Sequence, residues 1–167
     1  MREPIPLTER RHDRWLILAF LVFASTSLFV DRLAALDVDV CGQRSMWGAL
    51  CWYGRAIDPL FLANPQWLRV MSGISAWVFG PLYLVLAWAF WRGVDAARGP
   101  AVAWAVAMLY SLAVHLWMEF FGEHPPVRPA LLLGVYLPYV LVPGLVLWRL
   151  RAPHAFTRVK PRSASQP

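Results

Sequence analysis

The sequence predicts an all-α, polytopic membrane protein built as a bundle of four transmembrane helices. Apolar residues make up 59% of the 167 positions and ten are tryptophan, more than a soluble domain carries. Four apolar stretches, 15–35, 67–91, 100–121 and 130–150, approach or exceed the ~20 residues needed to cross ~30 Å of hydrocarbon. The basic residues gather at the ends of these stretches and in the tails. This length holds one domain, which divides into an N-terminal segment (1–14), a helical transmembrane domain (15–150) and a basic tail (151–167).

The net charge of +6 is therefore not a nucleic-acid footprint. Arg2, Arg10, Arg11 and Arg14 precede the first span. Arg92 and Arg98 separate the second from the third, and Arg149, Arg151, Arg158, Lys160 and Arg162 follow the fourth. The opposite loops carry Arg44, Arg55, Arg69 and Arg128. This bias predicts that both termini are cytoplasmic. The first span mimics a signal peptide, but its length and the lack of a clean small-residue cleavage site predict a retained anchor. A composition rich in Ala, Arg and Trp, with short loops, points to a bacterial inner membrane.

Residues up to 14 are polar, include Pro4 and Pro6, and are expected to be loosely ordered. The first helix then runs to about Leu36 and carries Asp31 near its end. An ionised carboxylate at that depth costs several kcal/mol unless it is paired, protonated or facing a polar cavity. Asp31 is thus either a functional group or a helix-end acid paired with its neighbour Arg32. Ser25, Thr26 and Ser27 precede it, with Ser27 on its face of the helix, and read most simply as helix-packing residues.

The 37–65 loop is long for such a bundle. Its centre, 46–57, is aromatic-rich and reads as a short amphipathic helix in or over the bundle mouth, ended by Asp58-Pro59. Asn64-Pro65 is a turn signal. Cys41 and Cys51 lie in this loop, and two readings stand: a short disulfide loop in an oxidising compartment, or two unpaired thiols.

The second span contains Gly80-Pro81, expected to kink it. In the third, Ser111, His115 and Glu119 share one face at i, i+4, i+8. They form either a proton-relaying pair or an inert hydrogen-bonded one. Glu123 and His124 follow, but no ligand spacing indicates a metal, and no cofactor is indicated. In the fourth span, Pro138 and Pro143 are expected to bend the helix. Tyr136 and Tyr139 can face one cavity, and a buried Tyr hydroxyl needs a partner. Trp15, Trp67, Trp91 and Trp148 sit at span ends as interfacial anchors. Trp77, Trp88, Trp104 and Trp117 lie deeper and are candidates to line a cavity with cation-attracting ring faces. The tail, with Pro161, Ser163 and Ser165, is expected to be disordered along the membrane surface.

The order of several features resembles the EXPERA-domain family. Leu28-Phe29-Val30-Asp31 ends the first helix. Trp52-Tyr53, Asp58-Pro59-Leu60 and Pro65-Gln66-Trp67 follow, then Gly80-Pro81 and Ala89-Phe90. Tyr136-Leu137-Pro138-Tyr139 and Val142-Pro143 lie in the last helix. The likeness covers about residues 13–152 and is nearer the sigma-2 receptor branch than the emopamil-binding branch. It implies a four-helix fold around a lipid-accessible internal cavity, where acids matching Asp31 and Asp58 sit together and Asp31 holds a cationic amine. Tyr139 matches a pocket tyrosine. The implied ligand is a sterol-like lipid or cationic amphiphile, and relatives form membrane dimers.

Two carboxylates sharing a dry site hold a single proton over part of the neutral range. Such a pair binds one cation or exchanges protons. The binding reading uses Asp31, Asp58, Tyr136, Tyr139, Trp77, Ser111 and Glu119. The alternative is a Δ8–Δ7-type sterol or isoprenoid double-bond isomerase, to which the emopamil branch points through Gly80-Pro81, Tyr110, Glu119 and Val142-Pro143-Gly144. This chain departs from that branch: its first EXPERA helix has no histidine, Ser72 stands where that branch carries a glutamate, and Tyr139 replaces a cavity tryptophan; Ser75 stands where the sigma-2 counterpart carries a glutamate. Asp31, Asp58 and His115 would be the substitute acid and base. A structural membrane subunit without a ligand is the third reading.

Overall fold

In a computed structural model, which describes residues 2–42 and 46–159, four helices are long and apolar enough to span a membrane. They are α1 (Arg11–Ala35), α4 (Gln66–Arg92), α5 (Asp95–Phe121) and α6 (Pro129–Arg149). Two short helices, α2 (Gly48–Ala56) and α3 (Pro59–Ala63), bridge α1 to α4. A disulfide joins Cys41 to Cys51 and ties α2 to the chain leaving α1. Arg44 and the tail beyond residue 159, with Lys160, Pro161, Arg162, Ser163 and Ser165, lie outside the described residues.

Asp58-Pro59 does more than stop a helix. Asp58 accepts from the Phe61 amide at 3.0 Å as N-cap, and Pro59 supplies the first helical position, where a missing N–H costs nothing. Asn64 ends α3 in the left-handed region (φ 41°) and donates to Ala34 O (2.9 Å) and Asp37 Oδ1 (2.8 Å).

The packed core fills the half of the bundle nearest the termini. Phe20 lies edge-on to Phe90 and to Trp104, each with ring centroids 5.3 Å away, and Tyr83 meets Trp104 at 5.5 Å. Leu16, Leu86, Ala101, Ala105, Val146 and Leu150 close around them.

The N-terminal segment and the described start of the tail are tied together. Arg2–Pro4 (β1) pairs antiparallel with Thr157–Val159 (β2). Arg10 and Asp13 are buried and joined at 2.6 Å, and Arg149 closes on Asp13 at 2.7 and 3.1 Å. Arg10 also donates to Ile5 O (2.8 Å) and Phe90 O (2.8 Å), and Phe156 lies between the two guanidinium groups, 5.3 and 5.1 Å away. The expectation of a loose N-terminal segment fails because Arg10 is held at Phe90 O, Asp13 at Arg149, and Glu3 and Glu9 at Arg158.

Pro138 and Pro143 sit inside a continuous α6. In α4, Pro81 has no N–H to return to the carbonyl four residues earlier, and the preceding turn widens into a π-helix, Ser75–Phe79, closed by the Gly80 amide on Ser75 O. A second π-helix, Ser27–Asp31, interrupts α1. Such wide turns occur often at functional sites.

Candidate functional site: an acid-lined cavity

The half of the bundle nearest the α2–α3 bridge is hollow. A cavity of about 380 Å³ lies between α1, α4, α5 and α6, beneath α2 and α3, within the size range of small-molecule sites. Val30, Leu68, Met71, Phe79, Met108 and Leu112 supply much of its wall, and its polar groups fall into two sets.

The first set surrounds Asp31, the last residue of the π turn in α1. Its carboxyl faces the hydroxyls of Ser75 and Ser27, which are 2.9 Å from one another. Tyr139 stacks on Phe23 at 4.4 Å and donates to Thr26 Oγ1 at 3.1 Å. Arg32 does not pair with Asp31; its guanidinium lies 4.7 Å over the Trp77 ring.

The second set surrounds Asp58. Tyr53 of α2 donates to Asp58 Oδ2 at 3.0 Å and neighbours Tyr136. Tyr136 Oη is 2.6 Å from His115 Nε2, and His115 Nε2 is 3.2 Å from Glu119 Oε1. Glu119 is fully buried behind His115, and neither carboxyl oxygen makes a hydrogen bond among the described residues. Asp58, 2% exposed, is raised to about 6, first by burial and then by the Glu119 charge. Burial and the Asp58 carboxylate also hold the Tyr53 phenol protonated.

Of the residues singled out from sequence, Asp31, Asp58, Ser111, His115, Tyr136 and Tyr139 line this one cavity. Ser111 returns its hydroxyl to Met108 O at 3.0 Å. Two expectations change. Asp31 and Asp58 share the cavity but no hydrogen bond joins them. Asp58 is committed to Phe61 N and Tyr53, and the acid acting on it is Glu119. The deep tryptophans do not line the cavity: Trp77, Trp88 and Trp117 face outward, each more than half exposed, and Trp104 is core. Helix phase sets this, and one sequence does not reveal it for a helix apolar all round. Ser27, Ser75, Thr26 and Tyr53 were missed as site residues. Tyr53 carried a signal, since it precedes Asp58 by five residues across a helix end.

Among the described residues no lysine or arginine lines the cavity, and no three His, Cys, Asp or Glu side chains converge as a metal site.

Residues 47–150 match the model of the EXPERA (expanded EBP superfamily) family. The chain belongs to the EXPERA family. It is 27% identical to the sigma intracellular receptor 2 of Macaca fascicularis over 90% of this chain and 93% of the relative. The Homo sapiens protein of that name is 27% identical over 87% and 91%, and the Xenopus tropicalis one 28% over 72% and 77%. No solved structure matches the chain. These EXPERA relatives support the sigma-2 receptor-like branch and a multi-pass membrane protein; they are vertebrate and lend nothing to the bacterial inner membrane expected from composition.

Proposed function

We propose that the protein binds a cationic amphiphile or a sterol-like lipid within the bundle, with Asp31 as the anchor for an ammonium or hydroxyl group. One observation carries this reading: an apolar cavity of about 380 Å³ holds two aspartates and, among the described residues, no arginine or lysine. Buried charges are normally paired. Here a ligand cation supplies the partner, and the apolar wall takes its hydrocarbon. Asp58, Tyr53 and Tyr136 offer hydrogen bonds to a second polar group, and Tyr139 closes the wall beside Asp31. The basic bias supports termini facing the cytoplasm, and the resemblance supports a homodimer, which cross-linking of the full chain in membranes checks.

A second reading rests on the His115–Glu119 and His115–Tyr136 contacts. An acid and a base over one cavity suit double-bond migration: one group protonates an alkene carbon, another removes a proton from a carbon next to the resulting cation, and the net proton count is unchanged. Asp31, Asp58 and His115 are the groups for these roles.

The test uses the full chain in lipid nanodiscs with the fluorescent cation trimethylammonium-diphenylhexatriene, read by energy transfer from tryptophan and displaced by excess dodecylamine. Asp31→Asn is expected to weaken displaceable binding at least tenfold while keeping the wild-type melting temperature. Equal binding by the two proteins overturns the anchor. Conversion of a Δ8 sterol by wild type would establish the isomerase reading; none after prolonged incubation removes it.

A further inference from the structure

The two π turns meet, and Asp31 sits at the place where they do. Ser27 opens the π turn of α1 and Ser75 opens that of α4. Gly80 lets the helices come this close, because a Cβ there would lie 2.8 Å from Leu28 Cδ2 and 3.6 Å from Ser27 Cβ. Ser27 is buried, its hydroxyl is 2.9 Å from that of Ser75, and the Asp31 carboxyl faces both.

Each serine hydroxyl has one proton to donate. The Ser27–Ser75 bond uses one of the two, which leaves one for Asp31. Resting on the ligand-binding reading, we propose that Ser75, backed by Ser27, is the positioning residue for Asp31. It turns one side of the carboxylate toward the helix pair and leaves its other lone pairs aimed into the cavity. The seat then selects ligands whose polar group donates a proton or carries positive charge, and rejects carboxylates and phosphates. The widened turns are the means, since they bring Ser27, Ser75 and Asp31 to one point between two helices.

A double-mutant cycle tests this with the trimethylammonium-diphenylhexatriene assay. Ser75→Ala is expected to weaken displaceable binding about tenfold, the usual effect of losing one hydrogen bond to a charged group. Ser75→Thr, which keeps the hydroxyl, restores it. In an Asp31→Asn background the same Ser75→Ala change is expected to alter binding less than twofold. Ser27→Ala gives a second cycle should Ser75→Ala not fold. Wild-type binding by Ser75→Ala, with Asp31→Asn defective, overturns the seat and leaves the anchor standing. An equal loss in both backgrounds also overturns it, because the serine then acts on packing alone. Wild-type binding by Asp31→Asn overturns the function itself.

Discussion

The bundle has a solid half and a hollow half, and their buried acids are treated in opposite ways. Near the termini, Asp13 is fully buried and met by Arg10 and Arg149 at 2.6–3.1 Å, and both guanidinium groups also donate to backbone carbonyls. Near the α2–α3 bridge, Asp31, Asp58 and Glu119 have hydroxyls, one amide and His115 about them and, among the described residues, no arginine or lysine. The comparison separates two uses of a buried carboxylate. One neutralised in place fastens the chain. One beside open space with no arginine or lysine among its described neighbours is the kind the binding proposal relies on.

The largest expected effect breaks the solid half. Asp13→Asn leaves Arg10 and Arg149 with no carboxylate and should cost about 3–5 kcal/mol, the usual penalty for removing one partner of a buried pair. Chemical unfolding in detergent reads it. Binding per folded molecule should be unchanged, and a stability loss under 1 kcal/mol would show that the clasp fastens nothing.

Next is the tether over the hollow half. The Cys41–Cys51 bridge closes a loop of 10 residues, and removing it with the double change Cys41→Ser/Cys51→Ser should cost up to about 3 kcal/mol. Hydrogen exchange should place the loosening in α2, whose Leu50 and Tyr53 line the cavity, and not in β1–β2. Uniform loosening would deny the two halves their independence.

A smaller effect sharpens the contrast through pH. Burial raises Asp58 from 3.8 to about 6, so the folded protein holds this proton more tightly than the unfolded chain. Its contribution to stability is complete below about pH 4, declines as pH rises to about 6 and is flat above. The stability difference between wild type and Asp58→Asn should trace that curve; Asn preserves the N-cap. Cation affinity should move the other way, falling as pH drops through about 6. An affinity flat from pH 4 to 8 contradicts the role given to Asp58. The smallest effect is expected outside the cavity: Trp77→Ala should change binding less than twofold, since its ring faces outward beneath Arg32.

How much was readable in advance follows the same division. The spans, the bridging helix α2 and the cavity acids Asp31 and Asp58 were legible, because hydropathy, helix period and an acid inside an apolar run are local signals. The clasp was not. Asp13 and Arg149 are 136 residues apart, and each alone looks like an interfacial charge. The π turns were half legible: Pro81 announces a break in α4, but no proline marks the one at Ser27–Asp31. Pairing Asp31 with Asp58 failed because the N-cap geometry of α3 directs Asp58 to Tyr53 and the Phe61 amide, a contact set by backbone direction rather than composition.

The ligand-binding proposal places a ligand in the hollow half, held through Asp31. Mass spectrometry of the lipids and small molecules that co-purify with wild type and with Asp31→Asn tests it most directly. An amine-bearing amphiphile, sterol or isoprenoid is expected to be enriched in wild type and absent from a variant that is equally folded. The same bulk phospholipids in both, with nothing else bound, would contradict it.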